Sequence, residues 1–428
     1  MSNEGPIDLT LLPSSARVAD DGSLSVGGVD LAGLATELGT PLYVYDETEL
    51  RNRCRQYRAS FGAGVAYASK AFLCTAMAKL VAEEGLDLDV ATGGELHVAR
   101  RAGFPAACIV LHGNNKSSEE LRTAIEAGVG RIVVDSFDEL DRLDEVAPRA
   151  DEPIAVLVRV TPGVEAHTHE YIETGTDDSK FGFSLQSGDA LRAAVRVHGS
   201  DTLRLAGLHC HIGSQVFRLD SYAAAIDRMV ALVLAVENET GAPVDELSVG
   251  GGLGIAYTSE DEPPSVDDYV EALLKNAPEG VTVLCEPGRS LVGNAGVTAY
   301  TVGTVKEIPG VRTYVAVDGG MSDNLRPVTY GAQYEAFLPA RASAPRPKVV
   351  TVAGKHCEQG DVLVRDAHLP ADVRVGDVLA TPVTGAYAHS MASNYNKVAR
   401  PAVVFVRDGS ARVVVRREDF DDLVRLDT

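Results

Sequence analysis

The chain has 428 residues, 45% apolar and 23% charged, an ordinary globular composition with room for two or three domains. Its formal net charge of −22, from 61 acidic and 39 basic residues, argues against nucleic acid or an anionic membrane as partner, since both need clustered Lys and Arg. No apolar run is long enough to span a bilayer, the start MSNEGPIDLT lacks the pattern of a secretory signal, and six scattered cysteines form no CxxC, so reduced thiols and a cytoplasmic location are expected.

In chain order, VADDGSLSVGGV (18–29) predicts a hairpin around Asp-Asp-Gly that joins a β-domain. From about residue 64 to 288, short β-rich runs alternate with Ala/Leu/Glu-rich helical segments. The runs are 65–69, 88–92, 109–112, 131–135, 154–160, 205–212, 246–250 and 281–286. The helices are 71–84, 94–101, 117–127, 137–146, 189–197, 221–238 and 266–275. Gly85, Gly103 and Gly128 suit helix C-caps, and Ser117 and Ser136 suit N-caps, while Ser118-x-x-Leu121 lacks a full capping box. Eight strands alternating with helices predict a (β/α)8 barrel, and the absence of GxGxxG after the first strand disfavours an open doubly wound sheet. Beyond residue 288 the pattern becomes the period-2 alternation of antiparallel strands (TAYTVGTVKEI, RTYVAVDGG, PKVVTVAGK, GDVLVRD, PAVVFVRDG, ARVVVRRED). The expected division is a barrel over 43–288 and a discontinuous all-β barrel or sandwich over 1–42 and 289–428.

Catalysis in such barrels sits at the C-terminal ends of the strands. Those ends carry Lys70, Asp89, His112, Arg159, His209, His211, Ser214, the run Gly250, Gly251, Gly252, and Glu286 followed by Gly288 and Arg289. A lysine on a barrel strand is costly to bury as an ammonium unless it is used covalently, as in a Schiff base with pyridoxal phosphate; otherwise it snorkels to the rim. The three glycines leave backbone N–H groups bare for a phosphate, helped by the positive end of a following helix, or else only form a tight turn. His209 and His211 share one face of a strand, but no third ligand has evident spacing, so no metal is expected. Buried Glu286 needs a cationic partner: a protonated pyridine nitrogen, or Arg289 or Arg159. The segment 167–182, polar and Gly-bearing after strand five, is a candidate lid.

Nine ordered motifs carry a resemblance: AYASKA, DVATGGEL, HGNNKS, GLHCHIGSQ, GGGLG and CEPGR, then VDGGMSDNLRPVTYGAQYEA, GKHCEQGD and TGAYAHSMASNYN. The first six resemble those of the fold-type III pyridoxal-phosphate decarboxylases, with an alanine-racemase-like architecture. The last three are similar to the diaminopimelate-decarboxylating branch of that family. The resemblance implies that Lys70 bonds the cofactor, His211 stacks on its ring, and Glu286 holds the pyridine nitrogen. Ser214, Gly250 to Gly252, Gly288, Arg289 and Tyr387 would serve the cofactor phosphate or substrate, with Asp89 and Arg159 nearby. Cys357 would be the acid that reaches in from the partner subunit, so the β-domain would complete the active site and dimer interface of a homodimer with shared active sites.

The implied substrate is meso-diaminopimelate, decarboxylated to L-lysine. Its distal carboxylate calls for Arg326 or Arg289 with Tyr330, and its distal ammonium for Glu358. Arg326 could instead pair only with Asp323. Gln359 departs from the small residue common in the family after Cys-Glu. Rival readings are an ornithine- or arginine-type decarboxylase, a racemase-like enzyme, which Glu286 argues against, and a catalytically dead binding protein.

Overall fold

The computed structural model describes residues 5–147, 153–164, 175 and 178–428. The chain folds as two compact units: Cys54–Gly254 with Pro263–Ser290, and Met1–Arg53 with Ile255–Glu262 and Leu291–Thr428.

The first unit is the predicted parallel barrel. Its eight strands are Ala66–Ala68, Asp87–Val90, Ile109–Leu111, Arg131–Val134, Ile154–Thr161, Leu203–Cys210, Glu246–Ser248 and Thr282–Leu284, hydrogen-bonded in sequence order. The first and last strands close on each other through a parallel bridge from Val65 to Cys285, with Ala66 N–H donating to Cys285 O at 2.9 Å and Cys285 N–H to Gly64 O at 2.8 Å. A two-residue strand, Phe183–Ser184, also pairs with the fifth strand. Ala66, Val110, Val133, Leu157 and Ala206 cluster as an interior core, alternate residues of their strands turned inward. Arg131 binds Glu246 bidentately through its Nε and Nη2 near the strands' N-terminal ends.

Each expected helix is present: Thr75–Glu83, Gly93–Ala102, Ser118–Ala127, Phe137–Val146, Asp189–His198, Leu219–Thr240 and Val266–Leu274. A full capping box does start the third of these, one residue earlier than the Ser118 register. Ser117 is the N-cap and Glu120 the N3 residue, so counting from Ser118 misses the Ser-x-x-Glu spacing.

The second unit is built on an eight-stranded sheet. Its order is Val362–Leu369, Lys348–Ala353, Arg312–Val317, Gly296–Ile308, Leu42–Asp46, Ala402–Arg407, Ser410–Val415, with Val378–Thr381 also on Gly296–Ile308. The sheet is mixed, not wholly antiparallel: Arg312–Val317 runs parallel to Lys348–Ala353, and Leu42–Asp46 parallel to Ala402–Arg407. The strand Leu42–Asp46, placed by sequence at the barrel's start, is hydrogen-bonded inside this sheet. On the long strand Gly296–Ile308, Val297 and Ala299 enter one apolar core and Tyr300 and Val302 another. This period-2 alternation buries both faces of the sheet. The N-terminal hairpin pairs Arg17–Val18 with Leu24–Val26 in a separate three-stranded sheet, and Leu24 and Val26 complete the first of these cores. No helix among the described residues is long and apolar enough to cross a membrane.

Candidate active site at the barrel mouth

The C-terminal strand ends gather a buried cluster around Glu286. Its Oε2 accepts from His209 Nε2 at 3.0 Å and its Oε1 from Ser248 Oγ at 2.9 Å, with His112 Nε2 3.3 Å from Oε1. His112 Nε2 also lies 3.7 Å from Asp89 Oδ1 and so bridges two carboxylates. The two imidazoles meet edge to face, 5.0 Å between centroids. Burial would push Glu286 up, but His209 and His112 outweigh it and hold the carboxyl well below its usual range. Burial also disfavours charge on His112, yet Asp89 and Glu286 raise it, whereas burial takes His209 down to about 4. Asp89 is pushed up to about 6, chiefly by burial, with His112 and Lys70 opposing. The cluster therefore holds an ionised Glu286 against a neutral His209, with Asp89 and Glu286 favouring the protonated form of His112. The ligand atoms of His112, His209 and Glu286 lie within 4.8 Å of one another, as a metal site would also require. His209 and Ser248 engage one carboxylate oxygen each, and His112 and Glu286 supply next to His209 the further ligand atoms that the strand spacing alone did not suggest.

His211 follows strand six. Its Nδ1 accepts the Gly251 N–H at 3.2 Å, and burial followed by Lys70 and Arg159 keeps its pKa well below the ordinary value. It is a neutral, flat ring. Arg159, on strand five, is buried and stacks on Phe181 at 4.2 Å. Arg289 is buried and donates to Ser214 Oγ from Nε at 3.2 Å and from Nη2 at 2.8 Å, which turns the serine's own hydrogen away from the guanidinium.

Several expectations are corrected. Lys70 is not buried on a strand: it is exposed, on a single 3-10 turn, Ser69–Ala71, beyond strand one. The glycine run does not leave three bare N–H groups. Gly250 N–H donates to Ser248 Oγ at 3.3 Å and Gly251 N–H to His211; Gly252 N–H alone has no protein acceptor among the described residues. No helix follows directly, since the next begins at Val266. Glu286 pairs with histidines and a serine in place of Arg289 or Arg159. Gly288 packs on strand one, where a Cβ would lie 3.2 Å from Ala68 Cβ. Most of the expected lid, 167–182, lies outside the described residues.

In the second unit, Arg326 is buried at the start of the helix Arg326–Tyr330. It lies over the Tyr257 ring at 4.5 Å and donates to the Tyr334 hydroxyl. Asp323, the alternative partner, instead accepts Gly320 N–H at 2.8 Å. Tyr330 and Tyr387 are both half-buried, Tyr387 with a positive φ of 67°. Cys357, Glu358 and Gln359 are exposed. Sequence reasoning gave no role to His112, Ser248, Tyr257 or Tyr334. His112 opens the motif HGNNKS, the one signal available for it, while the others lie in runs that read as ordinary strand or turn.

The barrel mouth fits pyridoxal phosphate: an exposed lysine beside the buried, unpartnered Ser69 Oγ, an ionised carboxylate, a neutral flat ring and an unengaged Gly252 N–H. Residues 47–293 match the family model "Pyridoxal-dependent decarboxylase, pyridoxal binding domain". The chain is 49% identical to a diaminopimelate decarboxylase of Bacillus subtilis over 97% of this chain and 98% of that one. It is also 49% identical to that of Mycobacterium tuberculosis, over 97% of each. A solved diaminopimelate decarboxylase from M. jannaschii, in co-complex with L-lysine, superposes with a TM-score of 0.88 at 34% identity, covering 97% of this chain and 98% of that one. With this likeness spanning both units, the chain belongs to the diaminopimelate decarboxylase family of pyridoxal-dependent decarboxylases.

Proposed function

We propose that the protein decarboxylates meso-2,6-diaminopimelate to L-lysine and carbon dioxide, the last step of lysine biosynthesis, with pyridoxal phosphate as cofactor. The observation that carries the reading is the ionised Glu286 cluster, set at the mouth of a barrel whose chain is 49% identical to diaminopimelate decarboxylases. The bound cofactor supplies an electron sink for the pair left when the Cα–carboxylate bond breaks.

The chain's residues divide the remaining work. Lys70 would bond the cofactor covalently. Glu286 would keep a proton on the pyridine nitrogen, and neutral His211 would cover the ring without competing for that charge. Ser214, Arg289, Tyr387 and the glycine run, through Gly252 N–H above all, would hold the phosphate. Asp89 and Arg159 would set the field around Lys70; both already perturb the buried groups of the cluster. Arg326, with Arg289 and Tyr330, would take the distal carboxylate, since the two tyrosines packed on Arg326 leave its guanidinium without a carboxylate among the described residues. Glu358 would take the distal ammonium. The Cys357 thiol would give its proton to Cα, which replaces the departing carboxylate.

A homodimer with shared active sites, each using Cys357 of the partner subunit, is inferred on the strength of the motif resemblance. A cytoplasmic location is supported by six free cysteines, five of them wholly or partly buried.

The test is carbon dioxide release from meso-, LL- and DD-diaminopimelate, ornithine and arginine with added cofactor. Preferred turnover of the meso isomer is expected; faster turnover of ornithine or arginine would reject the substrate. In parallel, Lys70→Ala should lose the long-wavelength absorbance of bound cofactor.

A further inference from the structure

The exposed Cys357 sits on a turn held within the second unit by directed hydrogen bonds. Asp361, across the turn, accepts Met321 N–H at 2.6 Å and His356 N–H at 2.9 Å. The His356 ring is buried, with Nε2 2.8 Å from Ser322 Oγ and Nδ1 3.3 Å from Asn396 Oδ1. Tyr395 packs against this ring at 5.4 Å. The same Asn396 Oδ1 accepts the Cys357 N–H at 3.1 Å. Asn396 adopts a positive φ of 50°, a conformation that Asn tolerates better than most residues.

The hydrogen-bond roles are mutually fixed. An amide nitrogen could not receive the Cys357 N–H, so the oxygen of Asn396 must face both groups. His356 therefore donates from Nδ1, while its Nε2 lies 2.8 Å from Ser322 Oγ, whose hydroxyl also reaches Asp323 Oδ1 at 3.3 Å. A hydrogen-bonded chain runs from Ser322 through His356 to the single oxygen that also holds the backbone of Cys357.

We propose that His356 and Asn396 are positioning residues for the proton donor: the Ser322–His356–Asn396 chain fixes the Cys357 backbone so that its thiol delivers the proton to Cα. This rests on the reading of Cys357 as the acid. Neither residue needs to touch substrate or cofactor, so losing either should slow proton delivery and leave binding intact.

The test uses the holoenzyme with meso-diaminopimelate and compares Cys357→Ala, His356→Ala, Asn396→Ala and Asn396→Asp. The exposed Asn396 keeps the assay sound if His356→Ala folds poorly. His356→Ala and Asn396→Ala should each lower kcat about 10-fold or more, the loss of roughly one charge-neutral hydrogen bond's ordering. KM and the bound-cofactor absorbance should be unchanged, and the solvent deuterium isotope effect on kcat should rise. Asn396→Asp, which keeps an acceptor oxygen, should recover most of the loss. If kcat stays within twofold in both alanine variants while Cys357→Ala abolishes turnover, the positioning role is overturned. Equal damage from Asn396→Asp and Asn396→Ala, with KM and cofactor binding also impaired, would overturn it in favour of plain structural support. An unaffected Cys357→Ala would instead overturn the reading of Cys357 itself.

Discussion

Glu286→Gln changes a few atoms at the centre of the barrel-mouth cluster, and the structure fixes what the amide must face. The carboxylate receives His209 at 3.0 Å on one oxygen and Ser248 at 2.9 Å on the other, with His112 Nε2 3.3 Å away at ion-pair distance. An amide turned with NH2 toward His209 would force that histidine to protonate Nδ1, which is buried without a partner, at a cost of about 1–3 kcal/mol. The amide will therefore keep its oxygen on His209 and set NH2 against Ser248, whose hydroxyl can rotate to accept, and against His112. His112 then loses one of its two carboxylates. The larger effect is at the cofactor. A neutral amide holds a protonated ring nitrogen less well than a carboxylate, and a charged hydrogen bond is worth about 1.5–3 kcal/mol. At about 1.4 kcal/mol per tenfold, kcat should fall roughly 10- to 100-fold. Cofactor affinity should fall less, since the lysine bond and phosphate contacts are untouched. Carbon dioxide release at saturating cofactor measures the first and equilibrium titration of the apoenzyme the second. A kcat within twofold of the parent enzyme would refute the assignment of Glu286 to the ring nitrogen.

Three further outcomes test the surrounding structure. Lys116 and Glu139 form a fully buried pair at 2.8 Å behind strands three and four, and Lys116 also donates to Gly113 O and Val133 O. Lys116→Met strands a buried carboxylate and should cost about 3–5 kcal/mol. For a unit of this size that is roughly 6–20 °C in Tm, and Lys116→Met/Glu139→Leu should regain most of it; calorimetry showing additive losses would contradict the pairing. Burial pushes Asp323 up to about 7. Its folded pKa is raised, so its stabilising contribution is full below about pH 4 and is lost as pH rises through 7. Denaturant unfolding should lose about 1 kcal/mol between pH 6 and 8 that Asp323→Asn does not lose. Gly250 has a φ of +66°, and a Cβ there would lie 2.6 Å from Cys210 O and 2.8 Å from His211 Nδ1. Gly250→Ala should displace the His211 ring and weaken cofactor binding about tenfold or more, at a strain cost of about 1–2 kcal/mol; unchanged affinity in the apoenzyme titration would remove His211 from the cofactor site.

What the sequence revealed, and what it hid, divides along the range of the interactions. The barrel was legible because each strand and helix announces itself locally. Helices end at Gly103 and Gly128 in the left-handed conformation, begin at Ser117 and Ser136, and leave β-rich runs between them. The boundary at residue 43 put most of the strand Leu42–Asp46 with the barrel because its partners, Gly296–Ile308 and Ala402–Arg407, lie far along the chain. The site shows the same limit at the scale of atoms. Residue types at strand ends located Lys70, His211 and Glu286 on one rim, but composition cannot say whether a glycine N–H is bare. Gly250 and Gly251 turn theirs inward to Ser248 and His211, so one backbone donor remains of the three. The charge on Glu286 was equally hidden. Arginine is the obvious partner for a buried carboxylate, yet two histidines flank it: His209, kept neutral by burial, and His112, whose protonation the carboxylates favour. That choice has a chemical consequence. An arginine is always charged and would compete with the ring nitrogen for the carboxylate. A neutral His209 donates a hydrogen bond without bringing a charge, so in the proposed pairing of Glu286 with a ring nitrogen His112, whose protonation the two carboxylates favour, is the competing cation in this cluster.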